Sequence, residues 1–128
     1  MTSYVNDANA PLPRGHYSQA VKANGFIFVS GQLPLVPGPD ILMPAGLDAQ
    51  VHQVFANIDA ILRHSGRGMR NLVSVQIFIT NMANWPRVNE LYARILGEGP
   101  APARTVVSCP ELHYGAEIEV SAIAIALG

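Results

Sequence analysis

Pro100-Ala101-Pro102-Ala103-Arg104-Thr105-Val106-Val107-Ser108 is the stretch from which the rest of the chain can be read. Two prolines remove backbone donors and push the residues before them out of the helical region, so the segment enters extended. A β-prone run follows, with an arginine at its mouth. That arginine is either an exposed charge that happens to begin a strand or a planar fork aimed into a cleft. Residue type alone favours the first, since most arginines lie at the surface.

Outward from this strand, the pattern orders itself. After Pro110 to Gly115, read as a turn region, Glu117 to Leu127 is the final strand. Before it, Val88, Leu91, Tyr92 and Ile95 form a helical stripe, with Asn84 as a cap, Pro86 in the first turn and Gly97 as the stop. Leu72 to Thr80 alternates, with Val73, Val75, Ile77 and Ile79 on one face and Ser74, Gln76 and Thr80 on the other. Val51, Val54, Phe55, Ile58, Ile61 and Leu62 mark a helix over Asp48 to His64, capped by Asp48 and followed by Gly66. Leu33 to Gly46, with four prolines and two glycines, reads as a loop. Phe26 to Ser30 is a continuous apolar run, expected to be buried on both faces, with Gly31 supplying a bulge or a close approach. Asn24-Gly25 is a hairpin turn after a strand over His16 to Lys22, and residues 1–14, with Pro11 and Pro13, read as an irregular arm. The order β-β-α-β-α-β-β implies a single α+β domain over residues 1–128, with two helices on one face of a mixed sheet. The other face then needs a partner subunit.

Composition agrees. At 128 residues with 13% charged, the chain has a lean surface for a monomer, which points to an oligomer. A net charge of −1 and no basic run speak against a nucleic-acid footprint. Single Cys109 excludes an internal disulfide. The N-terminus lacks the features of a signal peptide, and Glu117 to Leu127 is too short to span a bilayer, so the expectation is a soluble cytoplasmic protein without membrane partners.

His16, His52, His64 and His113 are scattered without ligand spacing, so no metal site is expected; these read as helix-surface and loop histidines. Cys109 with His113 is a weak nucleophile pattern. The remaining constellation is Tyr17, Ser30-Gly31, Asn89, Arg104 and Glu117 at strand ends. Glu117 and Glu119 project to one face; Glu119 reads as a solvated strand end, and Glu117 beside Arg104 is a structural ion pair or a catalytic group. Spacing alone leaves both open.

Gly15-His16-Tyr17-Ser18-Gln19-Ala20, Val29-Ser30-Gly31-Gln32, Asn57-Ile58, Val88-Asn89-Glu90-Leu91-Tyr92, Pro102-Ala103-Arg104 and Glu117-Ile118-Glu119 resemble, in order, the motif series of the Rid family, the YjgF-like reactive intermediate deaminases. The resemblance implies a chorismate-mutase-like fold, a homotrimer with clefts between subunits, and hydrolysis of 2-enamine and 2-imine carboxylates of the 2-aminoacrylate type to 2-keto acids and ammonia, with no cofactor. By the same resemblance Arg104 holds the substrate carboxylate and Glu117 handles the attacking water, with Tyr17, Ser30, Gly31, Asn89 and Val106 lining the site. Val106 stands where many members have cysteine, and His16 where many have proline. Two other readings fit the same cleft: a dedicated catabolic deaminase of the 2-aminomuconate type, and a non-catalytic small-acid-binding or regulatory trimer.

Overall fold

Apolar residues on every second position of the strands and every third or fourth of the helices leave one way to close a core: helices across one sheet face. The computed structural model describes residues 2–126 and has this arrangement. Six strands, β1 (Ser3–Val5), β2 (Ala20–Ala23), β3 (Phe26–Gln32), β4 (Leu72–Ile79), β5 (Ala103–Ser108) and β6 (Ile118–Ile125), form one sheet in the order β1-β2-β3-β6-β4-β5. All neighbours are antiparallel except β4 and β5, which the helix α2 (Trp85–Leu96) joins as a parallel crossover. Its companion α1 (Leu47–Arg63) lies across β3 and β6.

The stripe of α1 is wholly buried, Val51, Val54, Phe55, Ile58, Ile61 and Leu62 meeting Ile27 and Val29 of β3 and Val120 and Ala122 of β6 in one core. Three buried amides tie irregular segments to it. Gln19 accepts from the Asp7 N–H (2.7 Å) and donates to the carbonyls of Asp7, Ala10 and Pro11. Asn57 donates to the carbonyls of Leu33 (3.1 Å) and Leu35 (2.8 Å). Gln50 donates to the Pro44 carbonyl and accepts from the Glu117 N–H. Each satisfies backbone groups that would otherwise be buried and unpaired.

Several expectations change. Residues 3–5, placed in an irregular arm, form β1, because β2 offers them a free antiparallel edge. The strand expected over His16 to Lys22 begins only at Ala20; Gln19 gives its N–H to the Asn6 side chain, so the preceding residues follow the arm instead of a ladder. Asp48 does not cap α1. Gly46 holds that position, and Asp48, in the first turn, takes an ion pair from Arg87 of α2 (Nε to Oδ1, 3.0 Å). Asn84 stands at the start of α2 without a capping bond, while the Asn81 side chain caps the short turn before it. A register shift between Leu72 and Ser74 turns Leu72 inward and leaves Val73 37% exposed, outside the face shared by Val75, Ile77 and Ile79. Leu127, the expected end of the last strand, lies outside the described residues.

Strand β3 is buried on one face only. Ile27 and Val29 point to the helices, whereas Phe26 and Phe28 are 37% and 44% exposed on the other side, their ring centroids 6.2 Å apart. The run is continuous because both faces are apolar, and one of them has no cover within the chain.

Candidate active site

Arg104 stands at the second residue of β5, in register with Val75 of β4, and therefore points to the helix face. There its guanidinium lies 4.6 Å from the centroid of Trp85 and 5.1 Å from that of Tyr92, and its Nη1 donates to Asn89 Oδ1 at 2.8 Å. Val88 and Leu91 anchor α2 in the core, which sets Trp85, Asn89 and Tyr92 against the β5 edge. Cation–π contact and one hydrogen bond orient the fork while leaving it exposed. Among the described residues no carboxylate pairs with it. Val106 shares this face and packs at the rim of the core. Beneath the guanidinium, Tyr92 has a buried hydroxyl without a hydrogen-bond partner among the described residues, and burial raises the pKa of its phenol.

The second group of residues gathers around a bulge. Val29 pairs with Ala122 and Gln32 with Val120, so β3 spends one more residue than β6 and turns Ser30 and Gly31 together onto the face away from the helices. Ser30 donates its hydroxyl to the Ser18 carbonyl (2.7 Å), fixing the segment that carries Tyr17. At Gly31 a Cβ would stand 2.6 Å from Glu119 Oε2, so only glycine lets the carboxylate lie against the backbone. Glu119 is half-buried; desolvation raises its carboxyl pKa, opposed by the nearby His113. A cavity of about 150 Å³ opens here, with Tyr17, Gly31, His113 and Tyr114 in its wall.

Glu117 has a different place. It precedes β6, donates its N–H to Gln50 Oε1 (2.9 Å), accepts from the Thr80 N–H at its carbonyl (3.3 Å), and is absent from the cavity wall. Arg104 is in register with Val75, five residues from Thr80, or about 16 Å along the strands. The Arg104–Glu117 pair left open by the spacing therefore does not form within one chain. Glu119, read as a solvated strand end, is the carboxylate at the bulge, and His113, read as a loop histidine, is its neighbour. Strand alternation places Glu117 and Glu119 on one face, and only the β3 bulge selects between them. Cys109 donates weakly to the Ile79 carbonyl and is not in the cavity wall.

So the chain holds two half-sites. Arg104, Asn89 and Val106 lie on the helix face at one edge; Tyr17, Ser30, Gly31 and Glu119 gather on the open face around β3 and β6.

The Endoribonuclease L-PSP family matches residues 7–126. The chain belongs to this family, the Rid proteins. It is 39% identical over 122 residues to a RutC family protein of Aquifex aeolicus, covering 94% of this chain and 97% of that one. Against the Mus musculus protein named 2-iminobutanoate/2-iminopropanoate deaminase the identity is 32% over 121 residues, with 94% and 89% covered. The crystal structure of the Rid family protein YyfA from Yersinia pestis superposes with a TM-score of 0.93 at 38% identity, covering 98% of this chain and 99% of that one. The Rid fold of those structures is the mixed sheet and helix pair described above.

Proposed function

We infer that this Rid protein is a hydrolytic deaminase of 2-imine and 2-enamine carboxylates, working in a cleft completed by a second copy of the chain within a homotrimer. The observation that carries the reading is Arg104: an exposed guanidinium, held by Asn89 and stacked on Trp85 and Tyr92, with no acid of its own among the described residues. A planar fork kept in place and left unpaired suits a small carboxylate, which it grips through two parallel hydrogen bonds. Relatives named as imine deaminases support the reaction class.

The two half-sites lie on opposite faces of one sheet, so a single chain cannot apply both to one small molecule. Packing the open face, with Phe26, Phe28 and Val107, against the β5 edge of a neighbour would bury that apolar surface and bring Arg104 of one copy to Glu119 of the next. In that cleft Arg104 fixes the substrate carboxylate. Glu119 removes a proton from water as its oxygen attacks the carbon of the protonated imine, returns that proton to the nitrogen, and takes the hydroxyl proton as the carbonyl forms and ammonia leaves. Water is the only co-reactant this chemistry requires. The water-handling role that the family resemblance gave to Glu117 passes to Glu119, which is half-buried, has a raised pKa, and lies against Gly31. Tyr17, Ser30 and Asn89 line the cleft, and Val106 leaves an apolar wall beside Arg104.

Ammonia release from 2-iminopropionate generated in solution tests this. Arg104→Lys keeps the charge but loses the fork, and turnover is expected to fall by about 100-fold with the assembly intact. An unchanged rate overturns the reading. Calorimetric binding of 2-ketobutyrate by a wild-type protein that never accelerates hydrolysis would favour a small-acid-binding trimer instead.

A further inference from the structure

The cavity beside Gly31 is larger than a methyl-bearing imine needs, and three segments, Leu12 of the arm, Leu33 and Leu35 of the long loop, and Tyr114 of the turn before β6, give it apolar wall beside the polar Gln32 and His113. All three segments are tied down. Gln19 holds the carbonyls of residues 7, 10 and 11, Asn57 holds those of 33 and 35, and the turn with Tyr114 closes through Gly115 N–H to Leu112 O and Ala116 N–H to His113 O, so the cavity is preformed. The one arginine in the wall, Arg14, spends its Nη2 on the carbonyls of Gly38, Pro39 and Asp40. That geometry ties a loop and does not present an anion site.

Tyr114 adds an independent sign. Its backbone is left-handed, with φ 60° and ψ 18°, a region that side-chain-bearing residues rarely adopt. Its ring packs against that of His113 at a tilt of 39°, with 3.8 Å between centroids. Strain kept in a cavity wall, at a residue whose side chain forms that wall, marks a position shaped for a ligand.

We propose that this cavity is the side-chain subsite of the deaminase, and that its preferred substrates are 2-imino acids bearing a benzene-sized aromatic or equally large apolar side chain. The proposal rests on the deaminase reading above. With the carboxylate on Arg104 of one copy and the imine carbon at Glu119 of the next, the remaining substituent of the substrate is directed past Gly31 into the cavity. A cavity of about 150 Å³ has room for a benzene-sized ring, whereas a methyl group leaves most of it empty.

The test compares hydrolysis of 2-iminopropionate with that of 2-imino-3-phenylpropionate, each generated in situ from the amino acid by an amino-acid oxidase, with spontaneous decay subtracted. For the wild-type full chain, kcat/KM is expected to be about tenfold or more higher for the phenyl imine. Leu12→Trp, which fills the cavity from the exposed arm, should lower the ratio of phenyl to methyl kcat/KM by about tenfold. Tyr114→Gly should lower the same ratio by removing the wall, in a variant that folds because glycine adopts the positive φ freely. Hydrolysis of 2-iminopropionate with no phenyl preference and no change of ratio in either variant overturns the subsite and leaves the deaminase reading standing. Hydrolysis of neither imine overturns both.

Discussion

Glu119 and Gly31 form the residue pair on which the proposed chemistry turns. A carboxylate brought against backbone loses hydration, and burial raises its pKa while His113 pulls the other way. Because the folded-state pKa is raised, the contribution of this group to stability is fully present below the ordinary glutamate pKa and is lost as pH rises through the raised one. Glu119→Gln removes that ionisation at constant shape. Thermal unfolding should then show a higher Tm than wild type at about pH 8 and no gain at about pH 4, while imine turnover drops by roughly 100-fold to 10,000-fold. A variant with wild-type turnover would remove Glu119 from the mechanism. The candidacy of Arg104 was legible only through the motif Pro102-Ala103-Arg104, since residue type by itself favoured an exposed charge at a strand mouth. The choice between Glu117 and Glu119 was not. Both obey the same alternation, and the discriminating contact comes from β3, some ninety residues earlier.

At the scale of elements, the amphipathic stripe of α1 was legible because a helix states its buried face through sequence-local spacing. What α1 does with its polar residues was not. Asn57 looks like an interruption of the stripe, yet it is buried and closes the carbonyls of Leu33 and Leu35, shaping the loop that walls the cavity. Asn57→Ala leaves those carbonyls unpaired and is expected to cost about 2–3 kcal/mol, read as a lower midpoint in urea at unchanged slope. A smaller loss, within about 0.5 kcal/mol, would mean that water replaces the amide without consequence. Strand β1 escaped sequence reading for a related reason. Three residues carry no periodicity, and their strand exists only because the β2 edge is available.

Across the whole molecule, the sheet separates the two half-sites by face and by edge, so the proposed activity requires copies to exchange them. Two inactive variants, Arg104→Ala and Glu119→Gln, co-expressed and assembled together, should regain activity approaching about a quarter of the wild-type sites if one trimeric cleft draws Arg104 from one chain and Glu119 from its neighbour. No recovery from hybrids shown by mass to be mixed would place both residues in one chain's site and refute the shared cleft. The uncovered Phe26 and Phe28 give such an assembly its apolar surface. The same two residues explain why β3 read as a strand buried on both sides.

By itself the sequence determined the element order after β1, the stripe of α1, the sheet-and-helix class, the family motifs and the place of Arg104 at the start of a strand, since all of these are written in spacing along the chain and in residue type. Tertiary structure alone decided which glutamate meets Gly31, that His113 and Tyr114 wall a preformed cavity, and that Arg104 and Glu119 belong to opposite faces. Those are relations between segments distant in sequence. They follow from strand register and from one extra residue in β3, and a shift of one residue in that register exchanges every inward side chain for an outward one.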